Sequence, residues 1–293
     1  MKQLFRISLF MVFGFFLNTC AISKQERGND QPNATIVFDS ISVLSWNIQD
    51  LGKSKTDEEI TRMATIIEGY DLIAIQEVVG GKGGVEAVRR LMSGLNSDSL
   101  KFDFAVSEKT KSSSSYSSER YAFIWRISTL EIKKEPRLLS YLEKLCDREP
   151  YQALFSPNGC SENFSISTFH AVSEKKHPER EVVHLPLILD SSSTQDMLIC
   201  GDFNLDEDGM AWDSLYVKGF QNVLDDRSTS LKMRCKNGVY VNHEFDNFFW
   251  KGNNFVLGLG TVLDEVKSCD GLDGFRDLSD HLPIVTWLKY EKK

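Results

Sequence analysis

The sequence predicts an α/β protein with a polar site along one rim of its sheets. Three observations carry that expectation: apolar runs with the character of buried strands alternate with stretches of helical apolar spacing, and acids, amides and histidines gather where the strand-like runs end. The runs DLIAIQEV, Asp71 to Val78, and LIC, Leu198 to Cys200, are nearly free of polar residues until they end, as strands covered on both faces are. The chain of 293 residues has an ordinary globular composition and carries no internal repeat and no linker between folding units.

Taken in order, the chain opens with Lys2 and Arg6 before an uncharged run, Ile7 to Leu17. That run is too short to span a bilayer as a helix and suits the core of an export signal over residues 1–19. Its end, LNTC, resembles the lipobox of bacterial lipoproteins, with Cys20 as the lipidated residue and Thr19 in place of the usual Gly, Ala or Ser. Ordinary cleavage and free secretion is the alternative. Residues 20–35 are polar and aperiodic, so a flexible tether is expected there and a folded domain over 36–293.

Ile36 to Ile48 is rich in β-branched and aromatic residues and reads as a strand with Asn47 at its end. Thr56 with Glu59 forms a capping box, and Ile60, Met63, Ala64 and Ile67 then recur on one face of a helix over 57–69. Asp71 to Val78 follows as a buried strand ending near Glu77. Gly80 to Gly84 fits neither GxGxxG nor GxxxxGK[ST], so it reads as a mobile turn before a helix that aligns Val85, Val88, Met92 and Leu95. A strand over Phe102 to Val106, a Ser-rich exposed loop, and a strand through YAFIW come next.

Gln152 to Phe155 and Phe164 to Phe169 read as a hairpin across SPNGCSE, its second strand ending at His170. Pro178, Glu179 and Glu181 open a helix that Pro186 interrupts. In LICGDFNLD an apolar strand meets a glycine turn, which sets Asp202 and Asn204 two residues apart at the mouth of a sheet, an acid and an amide suited to a hard cation beside a phosphate oxygen. A helix near Met210 to Tyr216 precedes a long irregular region, which ends in HEFDNFFW with Asp246 in a strand. LSDHLPIVTWL then sets Asp280 and His281 on a turn before the last strand.

Lys+Arg number 34 and Asp+Glu 42, a net charge of −8, so the surface as a whole repels nucleic acid and a polyanionic substrate has to be drawn in locally, most simply by a bound divalent cation. Cys200 sits in an apolar strand and reads as a buried free thiol. Cys146, Cys160, Cys235 and Cys269 allow three disulfide pairings, and no Cys or His spacing suggests zinc.

The blocks SWNIQDLG, YDLIAIQEV, SYSSERYAFIW, DREP, FHA, LICGDFNLD, FDNFFW and SDHLPI occur in an order that resembles the endonuclease/exonuclease/phosphatase superfamily, most closely its deoxyribonuclease I branch. The resemblance implies a four-layer sandwich of two packed mixed β-sheets flanked by helices. It also implies a monomeric, divalent-metal-dependent endonuclease acting on DNA. Glu77 would be the principal Mg²⁺ ligand with Asn47 and Asp280 beside it; Mn²⁺ could replace Mg²⁺, and Ca²⁺ could support the fold. His170 with Glu119 and His281 with Asp246 would be the acid/base pairs, His281 as base and His170 as acid, with the reverse left open. Two imidazoles that titrate near neutrality suit in-line attack on a phosphodiester, which needs a base for water and an acid for the leaving oxygen. Asp202 would orient the water or the metal, and Asn204 and Arg148 would hold the phosphate.

Two departures concern duplex binding. The branch's DNA-contacting Arg after QEV is Val79 here, and the Tyr before ERY is displaced to Tyr116, so Tyr116 and Lys82 are the candidate DNA contacts. Alternatives are a phosphodiesterase for phospholipid head groups, sphingomyelinase-like, an enzyme for small phosphate esters, or a non-catalytic binding protein. The first would favour exposed apolar hairpins, and the complete set of histidine and metal positions speaks against the last.

Overall fold

A computed structural model describes residues 37–97, 99–114, 118–207, 209–224 and 227–292. The expected signal and tether, with Cys20, and also Tyr116 lie outside the described residues. The described residues form one compact unit.

Its elements in chain order are β1 (Val37–Leu51), α1 (Asp57–Ile67), β2 (Leu72–Val79), α2 (Lys82–Leu95), β3 (Phe102–Val106), β4 (Glu119–Arg126), β5 (Leu130–Leu138), β6 (Tyr151–Pro157) and β7 (Phe164–His170). They continue through α3 (Glu179–Val182), β8 (Met197–Asp202), α4 (Asp213–Val217), β9 (Gln221–Asn222), β10 (Leu231–Lys236), β11 (Val239–Val241), β12 (Asp246–Lys251), β13 (Val256–Leu257), β14 (Thr261–Val262), α5 (Leu272–Arg276) and β15 (Ile284–Lys292).

One sheet has the order β13-β15-β1-β2-β4-β3 with β14 also on β15, and the other β5-β6-β7-β8-β12-β9. Each is mixed, because β1–β2 and β7–β8 are parallel and their other pairs antiparallel. The side-chain alternation of a strand sorts the core into three layers. Val43, Leu72, Phe123, Phe155, Phe164, Leu198 and Phe248 fill the space between the sheets. Leu44, Trp46, Ile73 and Ile75 point the other way, onto Met63, Val88, Leu91 and Phe275. On the far side Phe169, Ile199 and Phe249 pack against Ile188, Phe203 and Trp212. Helices and turns therefore cover both outer faces, which gives the expected four-layer sandwich and explains why its central strands carry near-continuous apolar runs.

The α1 capping box forms as expected. The glycine run behaves differently: α2 already begins at Lys82, so the turn is only Gly80 and Gly81. Gly84 lies inside the helix because a β-carbon there would collide with the Val79 carbonyl, and the missing side chain lets the helix lie close on the strand. In the Ser-rich loop Lys109, Lys111 and Ser113 are exposed as expected, while Thr110 is buried and the backbone N–H groups of Lys111 and Ser113 donate to Glu149 and Asp147. The region read as irregular before Asp246 contains β9 and a two-stranded ribbon, β10–β11. The ribbon's signal, LKMRCK alternating apolar and basic residues ahead of an Asn237–Gly238 turn, was passed over in the sequence. Of the four candidate cysteines only Cys235 and Cys269 are bridged, while Cys146 and Cys160 are free, as is the buried Cys200.

Candidate active site

The site grows out of strand register. His170 closes β7, Asp202 closes β8 and Asp246 opens β12; the ladders pair His170 with Asp202 and Asp202 with Asp246, so three functional groups stand in one row across the second sheet. Gly201 makes this row feasible: its φ is +138°, and a β-carbon would collide with the Phe169 carbonyl of the neighbouring strand. The first sheet brings Asn47 on β1, Glu77 on β2, Glu119 at the start of β4 and the turn before β15 to the same rim. Glu77 (φ 59°) and Asn204 (φ 48°) hold left-handed backbone that non-glycine residues seldom adopt, a strain that concentrates at functional sites.

Two histidine–carboxylate pairs face each other. His170 Nδ1 lies 2.9 and 3.1 Å from the two Glu119 carboxylate oxygens, and His281 Nδ1 lies 2.6 Å from Asp246 Oδ2. With each Nδ1 engaged, both Nε2 atoms point inward, and each stands 3.5 Å from the same oxygen, Asp202 Oδ2. That oxygen also accepts Asn47 Nδ2 at 2.9 Å, while Asp202 Oδ1 accepts the Asn204 backbone N–H at 2.8 Å. His170 Nε2 is 4.0 Å from Glu77 Oε1. All of these side chains except Glu77 and Asn204 are buried, and Glu77, Glu119 and His170 line a cleft of about 240 Å³ with Asp50, Val79, Gly80, Ser118 and Arg148.

The electrostatics follow from this packing. Burial by itself would lower the pKa of His281, but the charges of Asp246 and Asp202 and the short bond to Asp246 override it and raise the ring well above its ordinary value. His170 is raised too, though burial and the Arg148 cation oppose Glu119 and Asp202 there. Burial pushes Glu77 up and Glu119 adds to it, against the two histidines and the Asn47 amide. Asp202 is lowered: burial works against its charge, and His281, His170, Asn47 and the Asn204 N–H together outweigh it.

No protein-family model matches the chain. In sequence it is 26% identical to a deoxyribonuclease of Thioalkalivibrio sp. (strain K90mix) over 86% of this chain and 72% of that one. It is 28% identical to Deoxyribonuclease-1-like 2 of Homo sapiens over 57% of this chain and 63% of that one, so it spans less than two thirds of the human relative. In structure it is similar to an endonuclease/exonuclease/phosphatase family protein from Bacteroides thetaiotaomicron, with a TM-score of 0.62 at 14% identity over 87% of this chain and 99% of that one. The fold is that of the endonuclease/exonuclease/phosphatase superfamily. A mannosyl-6-phosphatase from Bacteroides thetaiotaomicron (TM-score 0.60, 14% identity, 85% and 99% coverage) and D. rerio TDP2 in complex with a single-strand DNA product (TM-score 0.57, 16% identity, 85% and 99% coverage) share it.

The resemblance implies a divalent metal, and the residues at the rim fit one. Asn47 Oδ1 is fully buried and has no hydrogen-bond partner, while its Nδ2 donates to Glu77 Oε1 at 3.0 Å and to Asp202. A buried amide oxygen left unpaired beside a carboxylate whose charge is disfavoured by burial is what a hard cation would relieve. Among the described residues no group of three His, Cys, Asp or Glu side chains is placed to hold a metal ion by itself.

The remaining expectations divide. Asn47, Glu77, Glu119, His170, Asp202, Asp246 and His281 are brought together. Asp280 sits at the edge of the group, where its Oδ2 accepts Gln49 Nε2 at 3.0 Å, and no bond joins it to Asn47 or Glu77 among the described residues. Asn204 Nδ2 donates to the Ala171 carbonyl at 3.2 Å. Arg148, expected at a phosphate, is buried and engaged inward: Nε donates to the His170 carbonyl at 2.8 Å, Nη2 to the Ala171 carbonyl, and Nη1 stands 3.9 Å from Glu119. It fixes the end of β7 and one edge of the cleft. Lys82 is exposed at the start of α2 and does not line the cleft. Sequence reading missed Thr229, whose Oγ1 donates to Asp246 Oδ2 at 2.7 Å, and Ser279, whose hydroxyl donates to the Asn47 carbonyl at 2.6 Å and accepts the His281 N–H at 3.0 Å. Ser279 was visible within SDH; Thr229, in a stretch without pattern, offered no signal.

Proposed function

We propose that the chain is a divalent-metal-dependent endonuclease that hydrolyses DNA phosphodiester bonds by two-histidine acid/base catalysis. The single observation that carries this reading is the convergence of both inward Nε2 atoms on Asp202 Oδ2, each with a carboxylate behind its ring. One imidazole stands ready to take a proton and the other to give one at a single point, which is the need of in-line displacement at phosphorus. Likeness in sequence to deoxyribonucleases supports DNA as the substrate, whereas the fold alone also serves phosphatases.

Glu77 and the Asn47 amide oxygen would hold Mg²⁺, with Asp280 close by; once bound, the cation would neutralise charge developing on the phosphoryl oxygens. The chain's own groups do the proton work. The carboxylate pairing raises both rings above the ordinary histidine value, so each can hold a proton near neutral pH. With the roles implied by the resemblance, His281 is the base that takes the proton of the attacking water and His170 the acid that protonates the leaving oxygen. Asp202 accepts from both rings in turn, and Asn204, with one amide hydrogen on Ala171, keeps another for a phosphate oxygen.

Export, and anchoring through a lipidated Cys20, complete the proposal and rest on the sequence of residues 1–20 alone. The test of activity is degradation of plasmid DNA with Mg²⁺ and with EDTA, run beside sphingomyelin and a sugar phosphate. Metal-dependent nicking of plasmid is expected; turnover of either other substrate without any cleavage of DNA would overturn the reading. For anchoring, Cys20→Ser should release the protein from the membrane fraction, since one acylated thiol would supply the attachment.

A further inference from the structure

An acidic protein that acts on a polyanion needs a local cationic surface, and the β10–β11 ribbon supplies one beside the catalytic centre. The chain runs straight from the site into it. Thr229 holds Asp246, Ser230 bridges to His281, and the Leu231 N–H donates to the Asp280 carbonyl at 2.7 Å. The next residues, Leu231 to Lys236, read LKMRCK and form β10.

The pairing with β11 slips by three residues between Leu231↔Val241 and Lys236↔Val239, so the ladder is interrupted over Lys232 to Cys235. Contacts with α5 anchor the segment: Leu231 is buried, Met233 Sδ accepts Arg276 Nη2 at 3.1 Å, and Cys235 is bridged to Cys269 just before α5. Arg234 and Lys236 are exposed and Lys232 is half-buried. None of the three makes an ion pair among the described residues, although the molecule has an excess of acids. On the partner strand the Tyr240 hydroxyl donates to Asp264. Lys232, Arg234 and Lys236 fall within five consecutive residues, close enough along the chain to meet neighbouring phosphates of one DNA strand.

We propose that Lys232, Arg234 and Lys236 form a phosphate-tracking strip that seats the nucleic-acid backbone beside His281. The Cys235–Cys269 disulfide holds the strip in place. This rests on the nuclease reading and extends it: the strip recruits substrate without reading bases, and takes the part for which Val79 and Lys82 offer no contact. It gives an acidic protein a salt-sensitive grip on its substrate where cleavage occurs.

The experiment compares the parent with Lys232→Gln/Arg234→Gln/Lys236→Gln and with a control, Lys133→Gln/Lys134→Gln/Arg137→Gln, which removes the same charge from β5, an edge strand of the second sheet. Binding of a labelled duplex is followed by anisotropy in EDTA over a salt series, so the reading does not depend on turnover. The strip variant should weaken binding roughly tenfold at about 0.1 M salt and lower the slope of log Kd against log salt by about 0.9 for each phosphate that the strip no longer neutralises. Hydrolysis of bis-p-nitrophenyl phosphate with Mg²⁺ should match the parent, because a small diester does not reach the strip. Equal weakening in both variants would reduce the effect to net charge and overturn the proposal. So would an unchanged duplex Kd, or a strip variant that loses binding only to phosphatidylserine vesicles; Met233, 75% exposed, and Val239, 45% exposed, make vesicles the proper counter-probe. Failure of the parent to cut any DNA while it still binds duplex through the strip would sink the nuclease reading and leave the strip standing.

Discussion

At His281 the burial of an ionisable ring and its pairing with two carboxylates pull in opposite directions, and the pairing wins because Asp246 lies at 2.6 Å and Asp202 at 3.5 Å inside a site poor in water. The consequence is kinetic. His281→Ala and His170→Ala should each lower kcat on DNA by about 10² to 10⁴, the size of a general acid or base contribution. A substrate with an activated phenolate leaving group scarcely needs an acid, so it should restore the His170 variant and not the His281 variant. Rescue of His281→Ala instead would reverse the two roles. Glu77 is a second test at this scale: Glu77→Gln keeps the shape but removes the charge, so calorimetry should find weaker Mg²⁺ binding, and added Mg²⁺ should recover part of the rate. If the variant binds Mg²⁺ as the parent does, the ligand lies elsewhere.

At the scale of elements, the β7–β8–β12 register and the turns that lock it decide whether these residues meet. Gly201 combines a positive φ with close approach to β7, so Gly201→Ala should cost about 3 kcal/mol or more of folding stability in urea unfolding, from strain and overpacking together. A loss below about 1 kcal/mol would mean that β8 can slide, and that the register is set elsewhere. The turn before β15 is tied down from several directions. Trp46 Nε1 donates to the His281 carbonyl, Ser279 links the turn to Asn47, and Lys55 Nζ donates to the carbonyls of Asp277 and Leu278 that end α5. The Cys235–Cys269 bridge closes 34 residues, and its removal should lower stability by about 2–4 kcal/mol.

For the whole molecule the same charges make stability depend on pH. His281 and His170 have raised folded-state values, so the stability they contribute is complete below the unfolded histidine value of about 6.5 and is lost as pH rises through their folded values. Asp202 behaves in the opposite sense: its contribution is present above the unfolded carboxylate value and disappears on acidification. In EDTA, the melting temperature should therefore fall between neutral pH and the alkaline range, and His281→Gln should flatten that limb. A parent protein whose melting temperature stays level from pH 6 to 9 would show that neither ring gains its proton on folding.

Local chemistry in the sequence determined a good part of this. The capping box at Thr56, the apolar strands at Leu72 and Leu198, the strand ends near Glu77 and at His170, and the strand holding Asp246 were legible, because hydrophobic period and turn residues act over a few positions; Asn47, expected at a strand end, lies inside β1, which runs on to Leu51. Several things were decided only in three dimensions. The pairing of His170 with Glu119 and of His281 with Asp246 had been expected only from resemblance; the meeting of both rings at one Asp202 oxygen, the inward engagement of Arg148, and the choice of Cys235–Cys269 depend on contacts between residues far apart in the chain. The β10–β11 ribbon carried a local signal that went unread, LKMRCK alternating apolar and basic residues before Asn237–Gly238. Its place beside His281 was decided only by the tertiary structure, because the contacts with α5 and with the turn at Asp280 join residues far apart in the chain.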